Sequence, residues 1–106
     1  DLLWAATRKG AVRIDLSGAT PACQVLVLGD GRPRTVYALA LDRDGRLYLF
    51  GYDGAHRVDN PDDVRKPGAR LRVVHFGIED GLPSLEFNRG ALLDAEGRLW
   101  AANNAG

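Results

Sequence analysis

The chain has 106 residues, 45% of them hydrophobic, with 14 basic and 14 acidic side chains. This length suits one small domain, and the hydrophobic fraction is sufficient for a buried core. The balanced charge gives no support for nucleic acid or an anionic membrane surface as a partner. No apolar run approaches the roughly 20 residues of a membrane helix, and the chain opens without a signal-peptide pattern.

Residues 1–29 are predicted to form three strands, at 2–6, 11–16 and 23–28. The first two strands are separated by Thr7-Arg8-Lys9-Gly10, in which glycine supplies the positive φ of a tight hairpin. No part of the chain keeps a helical apolar period for three turns, so helices are not expected. The single cysteine, Cys23, cannot form an intrachain disulfide and is predicted to be a small strand residue.

Residues 30–76 are predicted to form four strands, at 36–41, 47–51, 55–59 and 71–76. The first of these, VYALAL, is apolar throughout, which predicts an innermost strand buried on both faces. Arg72 and His75 interrupt the last strand, as expected for an outer, partly solvated one. Residues 60–70 are rich in proline and charge and are predicted to form a long loop.

Residues 77–106 are predicted to begin a third unit, because they repeat earlier sequence. At an offset of 52, Asp42, Gly45, Arg46, Leu47, Tyr48 and Gly54 are matched by Asp94, Gly97, Arg98, Leu99, Trp100 and Gly106. At an offset of 44, Leu3, Trp4, Gly10, Ala11, Arg13 and Asp15 are matched by Leu47, Tyr48, Gly54, Ala55, Arg57 and Asp59. Repeats of about 40 to 50 residues are typical of propellers and related arrays. The shared aromatic position of Trp4, Tyr48 and Trp100 is interpreted as core packing between units.

The predicted fold is all-β: a β-propeller fragment made of four-stranded antiparallel meander blades. It covers about two blade periods, with strands 2–4 of one blade in 1–29, a complete blade in 30–76 and the first strands of the next in 77–106. A ring closes with about four to eight blades, so the chain is expected to be a piece of a longer protein. The alternative is a small open antiparallel sheet or sandwich that stands alone.

The stretch DGLPSLEFNRGALLDAEGRLWAANNAG, residues 80–106, resembles the two-component regulator propeller repeat. That repeat reads roughly as Asp-Gly-Leu-Pro-Ser, an inner strand, Asp-x-x-Gly-x-Leu-Trp and a closing Gly. Residues 85–88 resemble the form often found in the last blade. The second unit departs from the repeat at Tyr48, where the family favours Trp, and at 31–34, where it favours Gly-Leu-Pro-Ser. The resemblance covers essentially the whole chain.

The resemblance implies a ligand-sensing propeller in the periplasmic, extracytoplasmic region of a bacterial signalling protein, such as a two-component sensor histidine kinase or a diguanylate cyclase. This segment itself is not predicted to be an enzyme. His56 and His75 have no Ser or Cys partner at motif spacing, and no Cys or His pair has metal-ligand spacing, so no catalytic residue, metal or cofactor is predicted. The alternatives are a protein-interaction scaffold and a propeller enzyme, a lyase or hydrolase.

Topology predicts where a ligand would bind. In a four-stranded meander, the loops joining strands 2 and 3 share one face with the links between blades. The predicted ligand-binding residues on that face are Arg8, Lys9, Arg32, Arg34, Tyr52, Asp53, Ser84, Glu86, Asn103 and Asn104. This mixture of amide, aromatic and charged groups suits a small polar molecule or glycan, although ordinary solvated turns would look the same. The other predicted partners are neighbouring blades, or a second copy joined through open blade edges.

Overall fold

The computed structural model describes residues 2–28, 35–51, 53–82, 87–93 and 99–103, with side chains as far as residue 82. The strands are β1 Leu2–Thr7, β2 Gly10–Asp15, β3 Ala22–Leu26, β4 Val36–Leu41, β5 Leu47–Gly51, β6 Gly54–Val58, β7 Val73–Phe76, β8 Phe87–Leu93 and β9 Leu99–Asn103. Two short 3-10 helices lie at Pro61–Arg65 and Ile78–Asp80. The described residues contain no α-helix, which confirms the prediction of an all-β chain.

The strands form three antiparallel sheets in which sequence neighbours pair: β1-β2-β3, β4-β5-β6-β7 and β8-β9. Strand β4 contacts both β1 and β8, so the sheets pack side by side through the first described strand of each. This arrangement is the one expected of consecutive blades. The propeller itself stays a prediction.

The strand register repeats together with the sequence. At the offset of 44, the pairs Leu3↔Ile14, Trp4↔Arg13 and Thr7↔Gly10 correspond to Leu47↔Val58, Tyr48↔Arg57 and Gly51↔Gly54. At the offset of 52, the pairs Leu41↔Leu47 and Ala40↔Tyr48 correspond to Leu93↔Leu99 and Leu92↔Trp100. Both inner pairings also contain a register shift, between Val36 and Ala38 and between Phe87 and Ala91. The sequence repeat is therefore a structural repeat.

The loop after β6 is more ordered than its composition indicates. Asn60 holds it closed, because its Nδ2 donates to Arg70 O and its Oδ1 accepts from the Arg72 N–H. Proline suits the first position of the short helix at Pro61–Arg65 because it needs no hydrogen-bond partner there. The predicted irregular loop is thus partly helical. Strand β7 begins at Val73 instead of residue 71: the Arg72 N–H donates to Asn60 Oδ1, while the Arg72 carbonyl still accepts the Asp59 N–H beside the strand pair.

A buried arginine of the first sheet contacts the short helix that follows β6. The Arg13 side chain is only 7% exposed, and its Nε donates to Asp62 Oδ1 at 3.0 Å. A second guanidinium nitrogen donates to Gln24 Oε1 at 3.4 Å. At the equivalent repeat position, Arg57 pairs at 2.7 Å with Asp59, which directly follows its strand, whereas Arg13 lies 3.9 Å from the matching Asp15. The first unit therefore uses this position to contact the helix of the second unit.

The larger of the two core clusters among the described residues lies between the first two sheets. Leu47 and Val58 are fully buried and face each other across β5 and β6. Ala11 and Leu26 of the first sheet belong to the same cluster, and Trp4 packs partly buried against it. The prediction that β4 is buried on both faces is wrong at its end, where Leu41 is 41% exposed. Strand β5 is the more buried one because strands flank it on both sides, whereas β4 ends its sheet.

We expect Leu47→Ala to lower the free energy of unfolding by about 2–5 kcal/mol, because it leaves a cavity in a closed core. The matched control is Leu41→Ala, which removes the same side chain from the directly paired but exposed position and should cost less than about 1 kcal/mol. Urea unfolding of both variants measures the difference. Equal destabilisation would contradict this assignment of the core.

The turn between β4 and β5 is built around one carboxylate. Asp42 Oδ1 accepts the backbone N–H groups of Asp44, at 2.9 Å, and Arg46, at 3.0 Å. Its Oδ2 accepts Arg46 Nε at 2.7 Å and the Tyr48 hydroxyl at 3.1 Å. Gly45 supplies the left-handed φ of +80° that the turn requires. These contacts explain why Asp, Gly, Arg and an aromatic residue recur together in the repeat.

The same contacts control the ionisation of Asp42. Burial raises the pKa of its carboxyl, but the hydrogen bonds from Arg46, Asp44 and Tyr48 outweigh burial and hold the pKa below its ordinary value. The folded state therefore favours the carboxylate. Its contribution to stability is complete above about pH 4, the ordinary range for Asp, and is lost as the pH falls through the lower folded-state pKa.

We accordingly expect Asp42→Asn to destabilise the fold by about 1.5–3 kcal/mol at pH 7, the usual size of a charge-assisted hydrogen bond. The difference in Tm between parent and variant should shrink as the pH is lowered from about 7 towards 3, because the parent then loses its carboxylate too. Asp44→Asn is the control, since its side chain is 77% exposed. A difference that stays constant across this range would show that the charge of Asp42 contributes nothing.

Candidate functional site

Three segments meet at one end of the first two sheets. The Thr35 hydroxyl, just before β4, donates to the carbonyl of Arg8 in the β1–β2 turn at 3.2 Å. Thr35 also lines a small cavity of about 20 Å³ together with Leu28 and residues 53–54 of the β5–β6 turn. We call this end, made of residues 7–10, 35 and 53–54, the recognition face. The Asp42 turn lies at the other end of β5.

The β1–β2 turn presents its basic side chains to solvent. The Thr7 hydroxyl donates to the Gly10 carbonyl at 2.7 Å and accepts the Lys9 N–H at 3.1 Å, which closes the turn within itself. Arg8 and Lys9 therefore sit exposed at its tip. The structure thus brings three of the predicted binding residues, Arg8, Lys9 and Asp53, to the face that the topology predicted.

The other predicted binding residues cannot be placed in the same way. The backbone of Asn103 ends β9, opposite Phe87. The predicted residues that lie outside the described part of the chain are Arg32, Arg34, Tyr52, Ser84, Glu86 and Asn104. Ligand binding by the whole set stays a prediction.

Gly51 permits the close approach that forms this face. A Cβ at this position would lie 2.5 Å from the carbonyl oxygen of Thr35, which is closer than side chains tolerate. Only glycine therefore allows the start of β4 to lie against the end of β5 in this register.

We expect Gly51→Ala to destabilise the fold by about 1–3 kcal/mol, because the clash is with backbone and one strand must shift. Gly18→Ala is the matched control, since a Cβ there would meet Thr20 O at an ordinary 3.6 Å. Chemical denaturation compares the two variants. If Gly51→Ala unfolds at the parental midpoint, the approach of the two strands is looser than described.

Two histidines and an aspartate converge beside the β5–β6 turn. His56 of β6 lies directly opposite His75 of β7, with ring centroids 4.6 Å apart. One possible ligand atom each of Asp53, His56 and His75 lies within 4.8 Å of the others. The Nε2–H group of His75 donates to the Asp53 carbonyl. Each of the three residues keeps some contact with solvent.

Sequence spacing did not reveal this cluster. Its members are 3 and 19 residues apart, which matches no metal motif. The signal that could have found it is the predicted pairing of the third and fourth strands of the unit, which places His56 near His75. Chemically, the cluster offers two imidazoles and a carboxylate, a set that suits a transition metal.

Side chains are described for the first two units, and only the second of these units has the cluster. At the offset of 44, Lys9 takes the place of Asp53 and Val12 the place of His56. Val25 pairs with Val12 as His75 pairs with His56. The neighbouring positions keep their character, since Gly10 and Gly54 both have positive φ and Ala11 and Ala55 are both buried.

A separate cleft of about 510 Å³ lies between the edge strand β3 and the loop that precedes β7. Val25 and Val27 line one side and are each 46% exposed. Lys66 and Arg70 line the other side. The same side also carries apolar residues and Asp63, which pairs with Lys66 at 3.1 Å, so the cleft is largely apolar with charges of both signs along the loop.

Comparison of this chain with protein-family models, curated proteins and solved structures gives no significant match. Among the described residues, no helix is long and apolar enough to cross a membrane.

Proposed function

We propose that this chain is part of a β-propeller that senses a small polar molecule or glycan outside the cytoplasm of a bacterium. The carrying observation is the repeated register: two antiparallel meanders and a third hairpin pair their strands in registers related by offsets of 44 and 52 residues. Contact of β4 with both β1 and β8 supports a radial array of such units. The resemblance of residues 80–106 supports a signalling protein of the sensor kinase or diguanylate cyclase type.

The difference in sequence variation between the two ends of the repeat supports binding at the recognition face. At the opposite end, the Asp42 carboxylate uses both oxygens to hold its own turn, and the same residue types recur at 94–100. At the recognition face the equivalent residues differ, with Lys9 in one unit and Asp53 in the next. Variable loops on a rigid scaffold are the usual location of a binding site.

The chemistry of the face favours a polar ligand. Exposed Arg8 and Lys9 offer charged donors, and Asp53 offers acceptor oxygens. Such groups hydrogen-bond hydroxyls and carboxylates, which sugars and small polar metabolites carry. In this proposal the segment binds without catalysing a reaction, and an output domain elsewhere in the protein supplies any enzymatic activity.

The test uses the protein that contains the complete array and a panel of neutral and acidic sugars as probes. Lys9→Ala should weaken binding by about tenfold or more, since a lost charge-assisted hydrogen bond costs about 1.5–3 kcal/mol. Tyr52→Ala should weaken it as well, since it removes an aromatic ring on which a sugar can stack. The controls are Asp44→Ala, in the turn of the opposite end, and Glu96→Ala, at the matching position of the sequence repeat, and both should leave affinity unchanged. Isothermal titration measures all four. Equal losses of affinity at both ends, or losses only in the controls, would contradict the assignment of the binding site to the recognition face.

The cleft favours a second function, that of a protein-interaction scaffold. Strand β3 is the edge of its sheet among the described strands, and Val25 within it and Val27 just after it are exposed. An exposed edge strand can accept an added strand from a partner protein. In that case the substitutions at Lys9 and Tyr52 would leave function unchanged.

A further inference from the structure

We propose that Asp53, His56 and His75 bind a zinc ion. Imidazole nitrogens and a carboxylate oxygen are among the ligands that zinc takes in proteins. The ligand atoms now lie within 4.8 Å of one another. With zinc bonds of 2.0–2.2 Å, the ligand atoms of a tetrahedral site lie roughly 3.3–3.6 Å apart, so the longest separation in the cluster needs to shrink by up to roughly 1.5 Å. Rotation of solvent-accessible side chains can supply that contraction.

One nitrogen of the His75 ring already has the kind of partner that metal-binding histidines have. Its Nε2–H donates to the backbone carbonyl of Asp53, which places the proton on Nε2. Nδ1 is then the nitrogen with the lone pair that binds the metal. A metal-bound histidine almost always donates its second ring N–H to a carbonyl or carboxylate in this way, and the bond fixes both tautomer and ring angle.

The first unit shows that the fold does not require these residues. Its equivalent strands pair Val12 with Val25 in the same register, and its turn carries Lys9. Two valines therefore satisfy the packing of a strand pair at this place. The second unit has Asp53, His56 and His75 at the three corresponding positions, and each of these side chains is of a type that binds zinc. Strand packing alone gives no reason for the three changes to occur together.

Three protein ligands would leave the fourth zinc position open, as in catalytic zinc sites. That position would hold water or an oxygen atom from a bound molecule. The cluster borders the recognition face through Asp53, but the zinc proposal stands on its own geometry and does not depend on a sensing role.

The test is zinc binding by the complete chain after treatment with a chelator, measured by competition with a chromophoric zinc indicator. We expect one zinc ion per chain. His56→Val and His75→Val should each weaken binding at least tenfold, because each removes a ligand, and even outer-shell changes cost about 10–100-fold. Both substitutions install the residue found at the equivalent place in the first unit. The chain has only these two histidines, so no other imidazole can substitute.

Cys23→Ser is the control, because Cys23 is an exposed thiol and could bind zinc adventitiously. It should leave affinity unchanged. Asp53→Asn provides a second test at an accessible turn position, should either valine variant fail to match the far-UV circular dichroism of the parent. Failure of the parent to bind zinc, undiminished binding in the His56, His75 and Asp53 variants, or loss of binding in Cys23→Ser would overturn the proposal. None of these outcomes alters the sugar-binding test.

Discussion

Gly54, at a φ of +85°, turns the chain directly from β5 into β6 and so determines which residues of the two strands lie opposite each other. Side chains alternate along a strand, and a slip of one residue would turn Leu47 and Val58 out of the core. The same register continues into β7 and sets His56 against His75. Gly10 performs the equivalent turn between β1 and β2, which is why two units of different sequence pair their strands identically.

Each unit has a constant end and a variable end, and their physical demands differ. At the constant end, Asp42 satisfies two backbone N–H groups and two side chains, so its residue types can hardly change without leaving a donor unpaired. At the variable end, the Thr7 hydroxyl closes the β1–β2 turn from within, and the tip residues contribute little to that closure. Chemistry can therefore vary at the tips at small cost to the fold, which is the condition that a recognition surface needs.

The sequence predicted the strands well because their signals are local: apolar runs of strand length, separated by glycine turns. It failed where tertiary contacts decide the outcome. The order of the loop after β6 depends on bonds from Asn60 to Arg70 and Arg72, and the burial of Arg13 depends on Asp62 in the next unit. The exposure of Leu41 follows from the position of β4 at the end of its sheet. Topology alone placed Arg8, Lys9 and Asp53 at one end, but only the register brings two histidines 19 residues apart into contact.

Strand β7 is the part of the second unit that depends most on contacts beyond its own ladder. It has four residues, pairs only with β6 among the described strands, and exposes Val74 and His75. Near its first residue, the Asn60 side chain binds the backbone of Arg72; near its last, the His75 ring binds the carbonyl of Asp53. Local opening of a protein starts where buried contacts are few, so β7 should open before β5. A ligand that binds only the closed form stabilises it by an amount that grows with the logarithm of the ligand concentration above its Kd. A zinc ion held by Asp53, His56 and His75 would join β7 to both β6 and the β5–β6 turn. Its effect would therefore fall on the outermost strand and the recognition face, while the Leu47 core kept its own stability.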